Sequence, residues 1–385
     1  MTLASPSLDA IEVPVELIRA HAAEVDRDAR FPEESIAGLR AAGLLGLGIP
    51  EAFGGPGGGP SQIVATIERV AAGCASTGMV YTMHVVAAQT LLAGTAGPDD
   101  GIKSATLRSI AAGSHLSTLA YSERGSRSHF WAQVSRAEPA GPDAVTISAD
   151  KSWVTSAGHA DSHVAATGAL GMTAPTETEI YLVDATAPGV EVLGRFDGLG
   201  MRGNASSPVA YRNVRVTGDQ RLGGPGSGFG VMMAATLPWF VLCGAATSVG
   251  IAQAAIEAGV AHVTGARLQH LGSSLADIPG VRGRLADAQV QLLQVRALLY
   301  EVAGQVERGD AAAQMGVLAL KMAAAETAID VTDQVMRACG GAAFSKHLGI
   351  ERNFRDARAS SVMAPTTDVL RDFIGQALVG LDPFA

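Results

Sequence analysis

Two short motifs in this sequence have spacings that other proteins use to bind nucleotides or metals. Gly198, Gly200 and Gly203 match the GxGxxG pattern of dinucleotide-binding folds, in which a helix follows the glycines. The residues after Gly203 favour a strand, so we predict a turn of a β domain and not a nucleotide site. His159 and His163 have the spacing of two metal ligands on one helix face. They lie in a predicted loop that runs into a strand, so we expect a solvated loop and no metal.

The composition limits the classes of partner. The chain has 385 residues and a net charge of −9, without a block of basic residues, which argues against nucleic acid or an anionic membrane as the main partner. The three cysteines, Cys74, Cys243 and Cys339, are far apart and odd in number. This usage is typical of a reducing compartment with buried thiols. The N-terminal residues lack a basic region followed by an apolar core, and we therefore expect a cytoplasmic protein.

One long stretch, residues 222–256, has no charged residue. It is long enough to span a bilayer of about 30 Å. It opens with glycines and a proline, contains Pro238, and includes several small polar residues. We therefore interpret it as a buried helix of a bundle or of an oligomer interface, and we predict no membrane role.

The periodicity of the chain changes twice. Residues 14–112 have helical spacing of apolar side chains, whereas short β-branched segments begin at Ala144, Glu179 and Val209. Helical spacing returns for the rest of the chain, with helices expected over 231–265, 280–308 and 311–338, followed by a C-terminal pair. We predict an α+β fold with an N-terminal helical domain (1–115), a middle antiparallel β domain (116–222) and a C-terminal four-helix bundle (223–385).

Several motifs occur in an order that indicates a family. In the β segment they are 119–128 (LAYSERGSRS) and 151–156 (KSWVTS). Near the C-terminus, Gly340-Gly341 interrupt an Ala-rich helix, Arg355-Asp356-Ala357 follow, and the turn Ala364-Pro365-Thr366 precedes a last amphipathic helix. This order resembles the acyl-CoA dehydrogenase family of FAD flavoproteins. The resemblance covers essentially the whole chain and implies the three-domain architecture predicted above.

The resemblance implies that FAD is the cofactor. Ser122 would meet the flavin ring, Trp153 would cover it, and Thr155 would reach its N5 edge. A flavin needs a flat apolar wall and hydrogen-bond partners at its pyrimidine edge, which an alternating strand can supply. The implied cofactor contacts are Leu119, Tyr121, Ser122, Trp153, Thr155, Arg267, Arg337, Gly340, Gly341, Thr366 and Asp368. In this family some of these contacts come from a neighbouring subunit, so the resemblance also implies a homodimer or homotetramer.

The resemblance also implies the class of substrate. Members of the family act on acyl-CoA or related thioesters, and Ser128 stands where a serine contacts the CoA side of the substrate. Trp239 and Met363 complete the substrate-binding residues that we expect. The loop that follows Glu123 is bulkier and more basic than in the family pattern, which would suit an anionic group or a narrower acyl channel.

One departure from the family pattern governs the reaction. Most members carry their catalytic glutamate at the position of Ala364, and the helix around 234–246, where some relatives place it, has no carboxylate. Three functions remain open. The favoured one is an oxidoreductase that uses O2, as monooxygenase or oxidase, with a flavin reductase or another electron partner and with His84, Ser128 or His129 as proton donor. The others are an acyl-CoA dehydrogenase that needs no base or has a relocated one, and an inactive acyl-CoA-binding protein. A lone histidine is more often structural than catalytic.

Overall fold

The computed structural model describes residues 11–126 and 129–381. Its first domain is built from five helices, which are α1 (Val15–Asp28), α2 (Glu33–Ala41), α3 (Pro60–Gly73), α4 (Ala75–Ala93) and α5 (Gly101–Ala111). Acidic residues in the first turn of α2 complement the helix dipole, and Gly43, with φ of +70°, turns the chain after it. The residues of α4 from Ala75 to Leu91 are all buried, so this helix forms the centre of the domain.

The middle domain contains seven strands in two sheets. The strands are β1 (Ser117–Ala120), β2 (Ala137–Gly141), β3 (Ala144–Val154), β4 (Ser162–Gly168), β5 (Thr178–Asp184), β6 (Val190–Val192) and β7 (Ser207–Thr217). One sheet has the order β1-β4-β5 and the other the order β2-β3-β7-β6. The β1–β4 pair is parallel, in contrast to the expected antiparallel arrangement, while the other pairs of both sheets are antiparallel. The chain visits the second sheet between β1 and β4, and such a long crossover permits parallel pairing.

The last domain is a helical bundle. It begins with α6 (Gly228–Val231), a π-helical turn (Met232–Thr236) and α7 (Leu237–Gly265), followed by the short strands β8 (Arg267–Leu268) and β9 (Ser273–Ser274), then α8 (Pro279–Glu307) and α9 (Ala313–Cys339). Three shorter helices end it, which are α10 (Ile350–Asp356), α11 (Ala359–Val362) and α12 (Thr367–Leu378). This architecture confirms the predicted α+β fold of helical, β and helical domains.

The uncharged stretch lies mainly in α7. Together with the preceding turns, this helix is long and apolar enough to cross a membrane, but half of its most apolar window is buried inside the protein. It packs against α3, α4, α8 and α9, so its apolar surface contributes to the core between the first and last domains. All three cysteines are free and buried, as predicted.

The two histidines with metal-like spacing have separate roles. His163 lies in β4, is buried, and its Nδ1 is 2.9 Å from the hydroxyl of Tyr211. The expectation of a solvated loop is therefore wrong for this residue, because β4 is covered on both faces. His159 has its Nδ1 3.0 Å from a carboxylate oxygen of Glu33 in α2, and its ring stacks on Phe31.

The Arg355-Asp356 segment of α10 joins the three domains. The Arg355 guanidinium contacts Asp26 of α1 at 2.6 Å, and the Asp356 carboxylate accepts a hydrogen bond of 2.6 Å from the backbone N–H of Met201 in the β domain. Asp356 is buried, and burial raises its pKa to about 6. The native carboxyl thus keeps its proton to a higher pH than the unfolded one, which ionises near pH 4. Stability contributed by this group is present at low pH and falls as the pH rises from about 4 to 6.

We expect Asp356→Asn to remove this pH dependence. The amide oxygen still accepts from Met201, but no charge is buried, so at pH 7.5 the variant should be more stable than the wild type by up to about 2–3 kcal/mol. At pH 5 the advantage should be about half as large. Urea unfolding at the two pH values measures this, with the exposed Asp372→Asn as control. An advantage of equal size at both values would contradict the prediction.

Candidate functional site

All three domains contribute to a large cavity, which we call the central cavity. Its volume is about 650 Å³. The β domain contributes mostly polar side chains and the helical domains mostly apolar ones. The principal residues that line it are Met79, Met83, Leu119, Tyr121, Ser122, Glu123, Phe130, Trp153, Thr155, Met201, Thr236, Leu237, Phe240, Met363 and Ala364. The structure therefore brings together seven positions singled out in the sequence, namely Leu119, Tyr121, Ser122, Trp153, Thr155, Met363 and Ala364.

The end of β3 forms a flat wall of the central cavity. The indole of Trp153 is 63% exposed, which is unusual for so large an apolar ring. The pairing of β3 with β7 is irregular between Lys151 and Val154, and such bulges redirect side chains. Lys151 is thereby buried while Trp153 faces outward. The Thr155 hydroxyl lies 2.9 Å from that of Ser206, which gives the wall a polar border.

This wall fits a flavin ring. An isoalloxazine has one extended apolar face, which the exposed Trp153 indole can cover, and a polar edge, which the hydroxyls of Ser122 and Thr155 can meet. All three residues line the same cavity, and its volume lies within the range of ligand and cofactor pockets, about 300–1,000 Å³.

A buried ion pair lies directly behind the wall. The Lys151 Nζ is 2.6 Å from Glu123 Oε1, and the pair is almost inaccessible to solvent. The other carboxylate oxygen of Glu123 accepts from the backbone N–H groups of Val134 and Ser135 at 2.6 and 2.8 Å. Burial opposes ionisation, but the Lys151 ammonium holds the pKa of this carboxyl below its usual value. Glu123 is therefore a fixed anion with its lone pairs occupied, and not a proton acceptor for a substrate.

A second buried lysine, which the sequence analysis did not identify, holds the turn around Ala364. The Lys321 ammonium, on α9, donates to the carbonyl oxygens of Met363, at 2.7 Å, and of Pro365. It also lies 5.3 Å from the centre of the Phe240 ring. Burial lowers its pKa to about 7. In the sequence, a lysine in an Ala-rich helix is typical of a solvated helix face. The role of Lys321 follows from contacts with residues 42–44 positions further along the chain, which the sequence pattern does not reveal.

A group of three hydroxyls, one from each domain, lies beside the central cavity. The Tyr121 hydroxyl is 3.2 Å from that of Thr236, which is 3.0 Å from that of Thr90. Thr236 is the last residue of the π-helical turn, and π turns are frequent at functional sites. No sequence pattern distinguishes Thr236 from a threonine of an ordinary core helix, so Thr236 was not predicted as a site residue.

The structure does not support the histidines as proton donors. His84 is fully buried outside the lining of the central cavity, and burial lowers its pKa to about 4. Its Nδ1 accepts from the backbone N–H of Ser117 at 3.1 Å, so its Nε2 carries the proton and donates to the carbonyl of Leu45 at 2.9 Å. The candidate role of His84 is therefore corrected to a structural one. His129 is exposed, packs edge-on against Trp131 and is not among the residues that line the cavity. Ser128 lies outside the described residues.

The remaining predicted positions do not line the central cavity. Trp239 is half-buried in α7 and packs against the main core, which does not support its expected contact with substrate. The others lie on the surface of this protomer. Arg267 is exposed in β8, Arg337 pairs with Asp333, Gly340 and Gly341 follow α9, Thr366 begins α12, and Asp368 pairs with Arg371. Their proposed contacts with FAD remain predictions.

The similarity to known proteins covers all three domains. Models of the N-terminal, middle and C-terminal domains of acyl-CoA dehydrogenases match residues 13–114, 118–214 and 226–379. The probable acyl-CoA dehydrogenase FadE25 of Mycobacterium tuberculosis is 29% identical over 97% of this chain and 98% of its own length.

Two solved structures have the same fold. Butyryl-CoA dehydrogenase from Megasphaera elsdenii matches with a TM-score of 0.89 and 22% identity, covering 98% of this chain and all of that one. The prolyl acyl carrier protein oxidase AnaB matches with a TM-score of 0.84 and 19% identity, covering 95% and 98% of the two chains.

The buried Lys321 predicts a dependence of stability on pH. Its pKa is lowered in the native state, to about 7, from an unfolded value near 10.5. Between these values the native state binds fewer protons, so stability rises with pH and is lost as the pH falls towards 7. Relative to Lys321→Met, the wild type should therefore gain about 2–3 kcal/mol between pH 7 and 9. Urea unfolding measures this difference, and the exposed Lys346→Met should show none. A constant difference between wild type and Lys321→Met would contradict the prediction.

Proposed function

We propose that the reaction of this protein uses O2 and needs no carboxylate base. The chain belongs to the acyl-CoA dehydrogenase family and is an FAD-dependent oxidoreductase. The substrate that we propose is an acyl thioester. The position that carries the family's usual glutamate is Ala364, whose methyl group lines the central cavity.

One observation carries this proposal. Among the described residues that line the central cavity, Glu123 is the single carboxylate, and Lys151 and the backbone of the following loop occupy its oxygens. A general base must have a free lone pair within hydrogen-bond reach of the proton that it removes. Removal of an unactivated Cα proton by a side chain of this cavity is therefore not supported.

The side chains of this protomer suit a dry redox site. Bound FAD supplies two-electron oxidation and, when reduced, reactivity towards O2. Trp153 covers one face of the ring, and Thr155 and Ser122 fix its polar edge. Met79, Met83 and Phe240 line the helical side with apolar surface, which excludes water from the reacting groups.

Two reactions with O2 are balanced in electrons, that of an oxidase and that of an oxygenase. As an oxidase, acting on a substrate whose Cα proton is acidic enough to leave without a carboxylate base, the protein would take two electrons and two protons from the acyl group and pass them to O2, which leaves as hydrogen peroxide. As an oxygenase, it would place one oxygen atom in the product and release the other as water, with two further electrons from a flavin reductase. The prolyl acyl carrier protein oxidase AnaB has this fold, and the thioester that we propose is linked either to CoA or to a carrier protein.

The second candidate is an acyl-CoA dehydrogenase whose substrate has an unusually acidic Cα proton. The full-length similarity to the probable acyl-CoA dehydrogenase FadE25 favours it. Anaerobic bleaching of the flavin by an acyl-CoA would support this candidate against an oxygenase, and slow reoxidation of the reduced flavin by O2 would support it against an oxidase. Entry of ¹⁸O from ¹⁸O2 into the product, or peroxide release, would support the first. A colourless protein would favour an inactive, binding-only member.

We also propose a homo-oligomer, as a dimer or tetramer, in which a second copy completes the FAD site. The surface positions Arg267, Arg337, Gly340, Gly341, Thr366 and Asp368 are those assigned to the cofactor by the family resemblance. Large apolar side chains are exposed on the same C-terminal elements, with Phe344 83% and Leu378 77% exposed. Exposed apolar groups of this size favour coverage by another protein surface.

Replacement of Trp153 tests the flavin wall. The purified wild type should be yellow, and Trp153→Ala should retain less FAD because the apolar face of the ring loses its cover. Trp153→Phe keeps a flat ring and should retain most of it. The ratio of flavin absorbance to protein absorbance measures occupancy, and full occupancy in Trp153→Ala would contradict the proposed contact.

Installing the missing carboxylate tests the role of position 364. With butyryl-CoA under anaerobic conditions, Ala364→Glu should bleach the flavin at least about 100-fold faster than the wild type, because a positioned base contributes about 10²–10⁴ in rate. Ala364→Gln, of nearly equal size, should not. Stopped-flow absorbance measures the rates. Rapid anaerobic bleaching of the wild type itself would refute an oxygenase that lacks a working base and support the dehydrogenase.

A further inference from the structure

The hydroxyl chain beside the central cavity has a defined direction. Thr90, on α4, is fully buried and donates its proton to the carbonyl oxygen of Val86 at 2.8 Å. A hydroxyl has one proton, so in its contact with Thr236 it is Thr90 that accepts. Thr236 then donates to Thr90 and accepts from Tyr121. In this arrangement the proton of each of the three hydroxyls has an acceptor within the protein.

The unused hydrogen-bond acceptor of these three hydroxyls is therefore the Tyr121 oxygen, which lies at the cavity. The phenol oxygen of Tyr121 donates its proton to Thr236 and retains lone pairs that no contact in the described residues uses. Both Tyr121 and Thr236 line the central cavity. Burial raises the pKa of the Tyr121 phenol, so the group remains a neutral hydroxyl.

Thr236, the partner of this oxygen, lies on the side of the cavity that the helical domains line. The residues with polar side chains that line the cavity, such as Ser122, Thr155 and Ser206, come from the β domain. Thr236 is the exception among the described lining residues of the helical domains, whose other members are apolar. A ligand on the helical side thus meets one polar point, which Tyr121 and Thr236 form together.

We propose that Tyr121, oriented by Thr236, selects substrates that carry a hydrogen-bond donor, an N–H or O–H group, in the part held within the central cavity. This rests on the proposed function and names the chemical class of its substrate. A substrate that offers an acceptor at this point would draw the Tyr121 proton away from Thr236. The three hydroxyls then keep one hydrogen bond fewer, whichever of them turn, and the loss of one hydrogen bond weakens binding roughly threefold to tenfold.

Bicyclic probes of similar size can test the preference. Indole carries an N–H donor, benzothiophene carries neither donor nor acceptor of comparable strength, and 1-indanone carries a carbonyl acceptor. Dissociation constants are measured anaerobically on the FAD-containing protein, from changes in flavin absorbance. The wild type should bind indole roughly threefold to tenfold more tightly than benzothiophene. Equal binding, or no binding of indole, would overturn the proposal.

Two variants identify the atoms responsible. Tyr121→Phe should bind the two probes equally, because the acceptor oxygen is gone. Thr236→Val removes the acceptor of the Tyr121 proton and frees that proton for the cavity, so this variant should bind 1-indanone more tightly than the wild type does. An indole preference that survives in Tyr121→Phe, or an unchanged affinity of Thr236→Val for 1-indanone, would also overturn it.

A matched control is available in the same helices. Thr82 and Thr247 form another hydroxyl pair between α4 and α7, 3.0 Å apart and outside the lining of the cavity. Thr82→Val should leave the order of the probes unchanged. Binding is measured without turnover or O2, so failure here leaves the reaction type untouched. Conversely, evidence for a dehydrogenase would leave the probe preference standing.

Discussion

The buried pair of Lys151 and Glu123 is the interaction on which the site depends. The Lys151 ammonium also contacts the carbonyl of Ala166, at 2.5 Å, and the side-chain oxygen of Gln133, at 3.0 Å. It thereby joins the end of β1, the strands β3 and β4, and the loop before β2, which belong to two different sheets. Burial of two charges is costly, and loss of one partner would leave the other uncompensated, at a cost of about 3–5 kcal/mol. This interaction keeps the strand end rigid enough to present an exposed indole.

The turn at Ala364, which also borders the cavity, is likewise held by a buried lysine. Lys321 fixes this turn through two carbonyl oxygens and lies beside Phe240. The polypeptide geometry around position 364 is thus strongly held even though the residue itself has only a methyl group. A precise scaffold without the acidic side chain is easier to reconcile with altered chemistry than with the decay of an unused site.

Much of the fold was predictable because its determinants are local. The β-branched segments at Ala144, Glu179 and Val209 lie in β3, β5 and β7, and the helices α7, α8 and α9 follow the helical spacing. Local patterns fail where contacts are distant. The buried β4 is rich in small residues and shows no alternation, and His84 is satisfied by Leu45, 39 positions away. The flavin wall was predicted from an ordered motif, whereas Thr236 and Lys321 have no such motif and become visible only in the packed structure.

The π-helical turn at Met232–Thr236 has a consequence for how this cavity can diversify. A π turn contains one residue more than the α-helix that it interrupts, and each residue of an α-helix advances the side chains by about 100°. Deletion of a single codon in this turn would restore a regular helix and change which side chain of the turn faces the cavity. A neighbouring apolar side chain would then stand opposite Tyr121. In this scaffold, one small indel could redirect ligand selectivity while the rest of α7 stays in register.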